Sequence, residues 1–337
     1  MVHSITRNIL FVIICFSTTT TFAIVPDYQI IEGAVRLHGV GPDNPVVYDN
    51  DWWFDVFDNN YLWAQASLDK VDLRANIVTR DMWDWQKGYL YTMKQSVEDA
   101  QKALRLARSS GLTNIPDLTL GADQVLIRPE SGKIEDTQAY PTDGSRLIVA
   151  EAKKASPEKP LLVICGGPLT TVANALLTNP EISTNLVVFS LSVSSYQYNG
   201  KDAWSPYIVA KRTRLVEWAT GQFWDKNSVF HSSHFEVLPH NPFCDDMRRL
   251  IASDLGQANQ LGDGAPLVWL WRHNCWTGVR LRHAVWGDNS VRFDTVDQQT
   301  EADVLEIPKS STDLEACRAE FFRVLTDPSL FLEHAAE

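Results

Sequence analysis

Apolar runs and helical spacings alternate along this chain. Pro45-Val46-Val47-Tyr48 predicts a short buried strand, and Leu73 to Thr79, centred on Ala75-Asn76-Ile77-Val78, predicts the next. Between them Asp58 to Leu68 has helical spacing, with Leu62 and Ala66 on the inward side. Strand, helix, strand is the pattern of a parallel βαβ unit. Met93, Val97, Ala100, Leu104 and Ala107 recur at three- and four-residue steps and predict a helix over Tyr89 to Ser109, with Gly111 placed to end it. Leu118 to Gly121 begins a further short element, and Gly144 to Ser156 contains a helix. Leu161-Leu162-Val163-Ile164-Cys165 is an almost unbroken apolar run, as expected of a strand covered on both faces.

The second half repeats the alternation. Gly166-Gly167-Pro168-Leu169-Thr170 leads into a predicted helix at Thr171 to Leu177, and Leu186 to Leu191 reads as a buried strand. Helices are expected at Tyr207 to Trp218, at Asp245 to Asp254 and near Leu314 to Leu325, and Gly262-Asp263-Gly264 precedes the apolar stretch Pro266 to Leu270. No Pro/Gly/Ser-rich linker divides the chain. The expectation is one α/β domain over 24–337, an open and mostly parallel sheet with helices on both faces.

The N-terminus adds a targeting signal. Arg7 precedes the apolar segment Ile9 to Phe16, and Thr21-Phe22-Ala23 is a small-x-small cleavage site. Residues 1–23 therefore read as a signal peptide, and the mature protein as periplasmic or extracellular with no integral membrane segment. Export leaves Cys165, Cys244, Cys275 and Cys317. Their spacing matches no zinc site, and Cys244 with Cys275 is the pair to test for a disulfide.

Hydrophobic residues make up 45% of the 337 and charged ones 21%, values of a packed domain. A formal charge of -12 with no long Lys/Arg run argues against nucleic acid as a partner. Twelve tryptophans have two readings, stacking on sugars or bases and a large aromatic core.

The chemistry concentrates after the first strand, where Asp49, Asp51, Asp55 and Asp58 stand close together. Carboxylates this close repel unless a cation or shared proton compensates, and calcium takes six to eight oxygen ligands of this kind. The alternatives are structural, with Asp49 satisfying a turn and Asp58 capping the helix it opens.

Asp49-Asn50-Asp51-Trp52-Trp53-Phe54-Asp55 resembles the Asp-x-Asp-Pro-Gly-x-Asp-Asp signature of the inosine-uridine-preferring nucleoside hydrolases. Gly166-Gly167-Pro168-Leu169-Thr170-Thr171-Val172-Ala173 resembles that family's Gly-Pro-Leu-Thr-Asn-x-Ala segment, and Asp263 before Pro266-Leu267-Val268 its His-Asp-Pro-Leu-Ala segment. The resemblance spans Val46 to Leu270 and implies a calcium-dependent hydrolase of N-ribosyl bonds acting on a nucleoside or other glycosyl ligand. By position it makes Asp51 a calcium ligand and the general base for water. Asp55 holds ribose hydroxyls, and the Thr170 carbonyl and Asp263 complete the ion's shell.

The departures are as specific. Val56 stands where the family has its second consecutive aspartate, Trp52-Trp53 replaces Pro-Gly, Thr171 replaces Asn, and Gly262 replaces the His. Asp58 is the candidate to supply the missing carboxylate ligand. Asn199, Trp204 and Trp52 are candidate substrate contacts, with Asn199-Gly200 as a plain turn the alternative, and His273 is the candidate acid for the leaving group. His231, His234 and His240 read as surface histidines. No nucleophile elbow or phosphate loop is present. The competing readings are a non-catalytic sugar- or nucleoside-binding protein on the same fold, and a Trp-rich face for a macromolecular partner. A second copy of the chain is also a candidate partner.

Overall fold

The computed structural model describes residues 27–52, 58–82, 92–190, 202–218, 231–252 and 276–331. The expected signal peptide lies outside them. Among the described residues no helix is long and apolar enough to cross a membrane.

A nine-stranded sheet organises the chain. Its strands are β3 (Pro45–Asn50), β4 (Asp72–Val78), β5 (Leu118–Leu120), β6 (Leu161–Cys165), β7 (Leu186–Ser190), β8 (Arg214–Trp218), β9 (Arg280–Gly287), β10 (Ser290–Thr295) and β11 (Val304–Ile307). Their order is β10-β9-β11-β8-β7-β6-β3-β4-β5. The run from β11 to β5 is parallel, and β9–β10 adds an antiparallel hairpin at one edge. A separate hairpin, β1 (Tyr28–Ile31) with β2 (Ala34–Leu37), precedes it.

Helices cover both faces, as the unbroken apolar runs require. On one face lie α1 (Asp58–Ser67), α2 (Met93–Ser109), α6 (Pro242–Ile251) and α7 (Leu314–Leu325), packed through side chains such as Leu62, Leu104, Met247 and Phe321. On the other lie α3 (Asp143–Ala152), α4 (Thr170–Thr178) and α5 (Trp204–Arg212), packed through Ile148, Val172 and Ile208. Each fully buried aliphatic side chain contributes roughly 1.5–3 kcal/mol. Alternate residues of one strand serve the two cores: in β6, Leu161 and Val163 face α3 and α4, while Leu162 and Ile164 face α1.

Several boundaries differ from the sequence pattern, among them the helix expected at Asp245 to Asp254, which runs from Pro242 to Ile251 behind its Asn241 cap. α2 starts at Met93, because the Thr92 hydroxyl accepts the Gln95 N–H and the Gln95 side chain returns to the Thr92 N–H. β3 runs on to Asn50, which brings Asp49 inside the ladder. The helix expected over Tyr207 to Trp218 is two elements, α5 ending at Arg212 and the strand β8. Thr213 breaks the helix, with its hydroxyl on the Ser183 carbonyl, and Arg214-Leu215-Val216-Glu217-Trp218 then fills the slot between β7 and β11. Pairing on both sides outweighs the helical spacing that Leu215 and Trp218 share with α5.

Cys165 and Cys244 are buried free thiols, and Cys275, the expected partner of Cys244, lies outside the described residues.

Candidate active site

β3 pairs with β4 on one side and β6 on the other, so the chain's direction of travel across the sheet reverses between β3 and β6. Crevices for ligands open at such a switch point, beyond the carboxyl ends of the strands. Asp49 and Asp51 stand at the end of β3, and Gly166-Gly167 follows β6 directly opposite, with the Gly166 N–H on the Asp49 carbonyl (2.9 Å). A Cβ on Gly167 would sit 2.8 Å from the Asp51 carboxylate, so glycine there is what makes room for that side chain.

Asp49 is fully buried. Thr79, just past β4, donates its hydroxyl to Asp49 Oδ1 (2.5 Å), and the Thr171 hydroxyl in the first turn of α4 lies 2.7 Å from that of Thr79. The Ala122 N–H completes the chain on Thr171 Oγ1 (2.9 Å). Gly121 is small for the same reason as Gly167: a Cβ there would meet the Thr79 and Thr171 hydroxyls at 2.5 and 2.7 Å. Burial pushes the Asp49 carboxyl up from 3.8 to about 7, against the pull of the two threonine hydroxyls. Its Oδ2 has no hydrogen-bond partner among the described residues.

The strand register carries Asp49 into a row that the sequence did not disclose. Asp49 pairs with Cys165, Cys165 with Ser190, Ser190 with Glu217 and Glu217 with Glu306, all buried and all on the α3–α5 face. Glu306 is matched by Arg280 (2.8 Å) and Arg282 (3.0 Å). The Ser190 hydroxyl, two strands or about 10 Å from Asp49, has no partner among the described residues. Burial also holds the Cys165 thiol well above its usual range, with Asp49 adding to the effect, so it is not a nucleophile at neutral pH.

A second buried acid grips α4. Asp202 Oδ2 accepts the Thr170 hydroxyl (2.6 Å) and Oδ1 the Ser205 hydroxyl (2.5 Å). Burial pushes this carboxyl up to about 7, while Ser205 and Thr170 pull it down. Sequence reading missed Asp202. Its signal was an acid three residues before Ser205 at the start of a helix, an N-terminal capping pattern.

Several expected site residues have different work. Trp52 is not presented to a ligand. Its indole is buried, donates to the Ile77 carbonyl (3.2 Å) and packs on Tyr48 and Trp63 at 5.6 and 5.5 Å. Its φ of +58° is a left-handed conformation costing roughly 1–2 kcal/mol, and this packing holds it there. Trp204 is likewise a core residue: it donates to Thr137 Oγ1 (2.9 Å), stacks on Tyr207 and meets Trp286 edge-on. The aromatic-core reading accounts for both. The Thr170 carbonyl, in the first turn of α4, accepts the Asn174 side-chain N–H (3.0 Å) in addition to its place in the helical ladder.

Asp51 is buried, and its backbone N–H donates to Asn50 Oδ1 (2.8 Å). Asp58 opens α1, its side chain outside the description. Asp55, Asn199, Asp263 and His273 lie outside the described residues. Among those described, no three His, Cys, Asp or Glu side chains converge as a metal site. His231 and His234 stand side by side at 5.3 Å in a turn, and His240 is an exposed neighbour of Asp245.

The sequence matches no protein-family model and no curated protein. Solved structures do share its fold. A plant nucleoside hydrolase, the PpNRh1 enzyme, superposes with a TM-score of 0.58 at 14% identity, over 85% of this chain and 100% of that one. A purine-preferring ribonucleoside hydrolase from Gardnerella vaginalis gives 0.61 at 14% identity, over 84% and 98%. The effector protein XOO4466 gives 0.52 at 10% identity, over 86% and 95%. The chain thus has a nucleoside hydrolase-like fold, as the motifs implied.

Proposed function

We propose that this protein is an exported, calcium-dependent hydrolase of an N-ribosyl or related glycosidic bond, with Asp51 as the general base for the attacking water. The observation that carries the reading is the Asp51 carboxylate held against Gly167 at the switch point of the sheet. The shared fold of two enzymes named as nucleoside hydrolases, each covered almost end to end, supports it, as does the N-terminal sequence for export.

The donor set fits a hard cation in kind. Asp51 and the orphan Asp49 Oδ2 are carboxylate oxygens, the ligands calcium takes. Asp58 and Asp263 are the proposed remaining carboxylates. Calcium bound there would lower the pKa of a water and hold a sugar diol. Asp51 accepts the proton from that water, and Asp55 and Asn199 hold hydroxyls whose bonds tighten as the ring becomes an oxocarbenium ion. His273 protonates the departing group. Asp49, its Oδ1 held by Thr79 and Thr79 in turn by Thr171, would present Oδ2 to that ion.

The second reading is a non-catalytic nucleoside- or sugar-binding protein. Val56, where the resembling family carries an aspartate, favours it. Calorimetric titration of calcium into chelator-treated mature protein, alongside Asp51→Asn, separates the two when followed by a nucleoside and glycoside screen. One ion per chain, lost in the variant, with hydrolysis of any ribosyl substrate supports the enzyme. Ligand binding without calcium or turnover supports the second reading.

A further inference from the structure

The opposite end of the sheet carries a cleft of its own. It lies beside the N-terminal ends of β8 and β11, has a volume of about 500 Å³, and is bounded by the end of α5 (Lys211, Arg212), by His283 of β9 and by Thr300, Glu301 and Asp303. No resemblance or fold rule places a ligand at this end, because parallel sheets bind at the carboxyl ends of their strands.

Asp303 is the buried hub of its wall. Its Oδ2 accepts the Lys211 ammonium (2.5 Å) and the Ala284 N–H (2.7 Å), and His283 Nδ1 lies 2.9 Å away. The Glu301 carbonyl lies 2.9 Å from the same Nδ1. A carbonyl only accepts, so Nδ1 carries the proton, and in the neutral ring Nε2 is left with a lone pair. The side chain of His283 is 42% exposed and borders the cleft. Fixing one ring nitrogen on a backbone carbonyl is how proteins orient the other.

The balance of groups selects the ligand. Lys211 and Arg212 are matched by Asp303, Glu301 and the Glu135 partner of Arg212, so no net positive charge is available for an anion. The carbonyl end of α5 also disfavours one. No three metal-binding side chains converge here. What remains is an acceptor at His283, donors at Lys211 and the exposed Thr300, and apolar surface from Ile134 and Val296. Donors, acceptors and small apolar patches side by side are what a polyol needs, and the volume falls in the range of small-molecule sites.

We infer that this cleft is a second binding site, for a neutral polyhydroxylated ligand of mono- or disaccharide size, read by His283 Nε2 as acceptor and by Lys211 and Thr300 as donors. It is independent of the strand-end reaction.

The test is NMR titration of the His283 imidazole in ¹⁵N-labelled mature protein with maltose, with glucose and, separately, with inorganic phosphate. A saturable shift with a sugar at millimolar concentration is expected, weakened about five- to tenfold in Thr300→Val and unchanged in Asp51→Asn. Thr300 is exposed, so that variant keeps its melting temperature, and His283→Ala, read by calorimetric titration with the same sugars, serves as the second, more severe change. Three outcomes overturn the inference: no saturable shift with either sugar, tighter binding of phosphate than of sugar, or loss of the sugar response in Asp51→Asn, which assigns it to the other end of the sheet.

Discussion

Two sites at opposite ends of the sheet bury acids in opposite ways, while Glu306, farther along the carboxyl ends, shares the cation-matched arrangement. At the amino ends of β8 and β11, Asp303 meets an ammonium, an imidazole and a backbone N–H. At the carboxyl ends of β3 and β6, Asp49 and Asp202 meet only hydroxyls and an N–H, and burial pushes both carboxyls up to about 7. An acid matched by cations is a strut, complete within the chain. One matched by hydroxyls keeps an uncompensated charge, and at neutral pH it holds a proton or recruits a cation. The contrast sets the crevice between β3 and β6 apart from both cation-matched acids without reference to any relative.

The comparison is tested hardest by Asp51→Asn. If the crevice between β3 and β6 is the chemical site, this change lowers glycosidic hydrolysis by about 10²–10⁴-fold with little change in melting temperature, read by steady-state kinetics on whichever ribosyl substrate the screen yields. Gly167→Ala probes the same crevice sterically. Its Cβ would meet the Asp51 carboxylate at 2.8 Å, and activity and calcium affinity should fall together by about 10- to 100-fold, less than on removal of the base. Equal calcium affinity in variant and wild type would show that Asp51 does not face the ion.

At the amino ends, Lys211→Met takes away one cation from buried Asp303 and should cost about 3 kcal/mol in urea denaturation, leaving hydrolysis untouched. Thr79→Val deprives Asp49 Oδ1 of its donor, with an expected loss of about 1–3 kcal/mol by the same measurement. Asp202 adds a pH slope. In the fold Asp202 keeps its proton up to about 7, whereas the unfolded chain releases it near 4. The folded state therefore binds more protons between these values, and stability falls as pH rises through that window. With chelator present, Asp202→Asn should lose less stability than the wild type between pH 4 and 7, by calorimetric melting. Parallel curves would mean that Asp202 is ionised in the fold.

How much of this was legible depends on the element. Leu161–Cys165 was readable to the residue because a strand covered on both faces leaves an unbroken apolar run. The last helix, Leu314–Leu325, was equally plain. β8 was not, because Arg214-Leu215-Val216-Glu217-Trp218 continues the spacing of α5, and only partners on either side make it a strand. With β8 hidden, Glu217 could not be placed beside Ser190. Trp52 and Trp204 looked like ligand-stacking residues because sequence shows an aromatic's type and not its surroundings.

The sequence by itself determined the class of fold, the order of strand and helix from β3 to β7, and the acidic cluster at the end of the first sheet strand. These follow from local periodicity and from short motifs, which neighbouring residues write. The tertiary structure decided which acids are compensated and by what. Asp49 with Thr79 and Thr171, Thr170 with Asp202, and Lys211 and His283 with Asp303 join residues dozens of positions apart. Those pairings arise only when strand order brings distant segments together, and no local pattern encodes them.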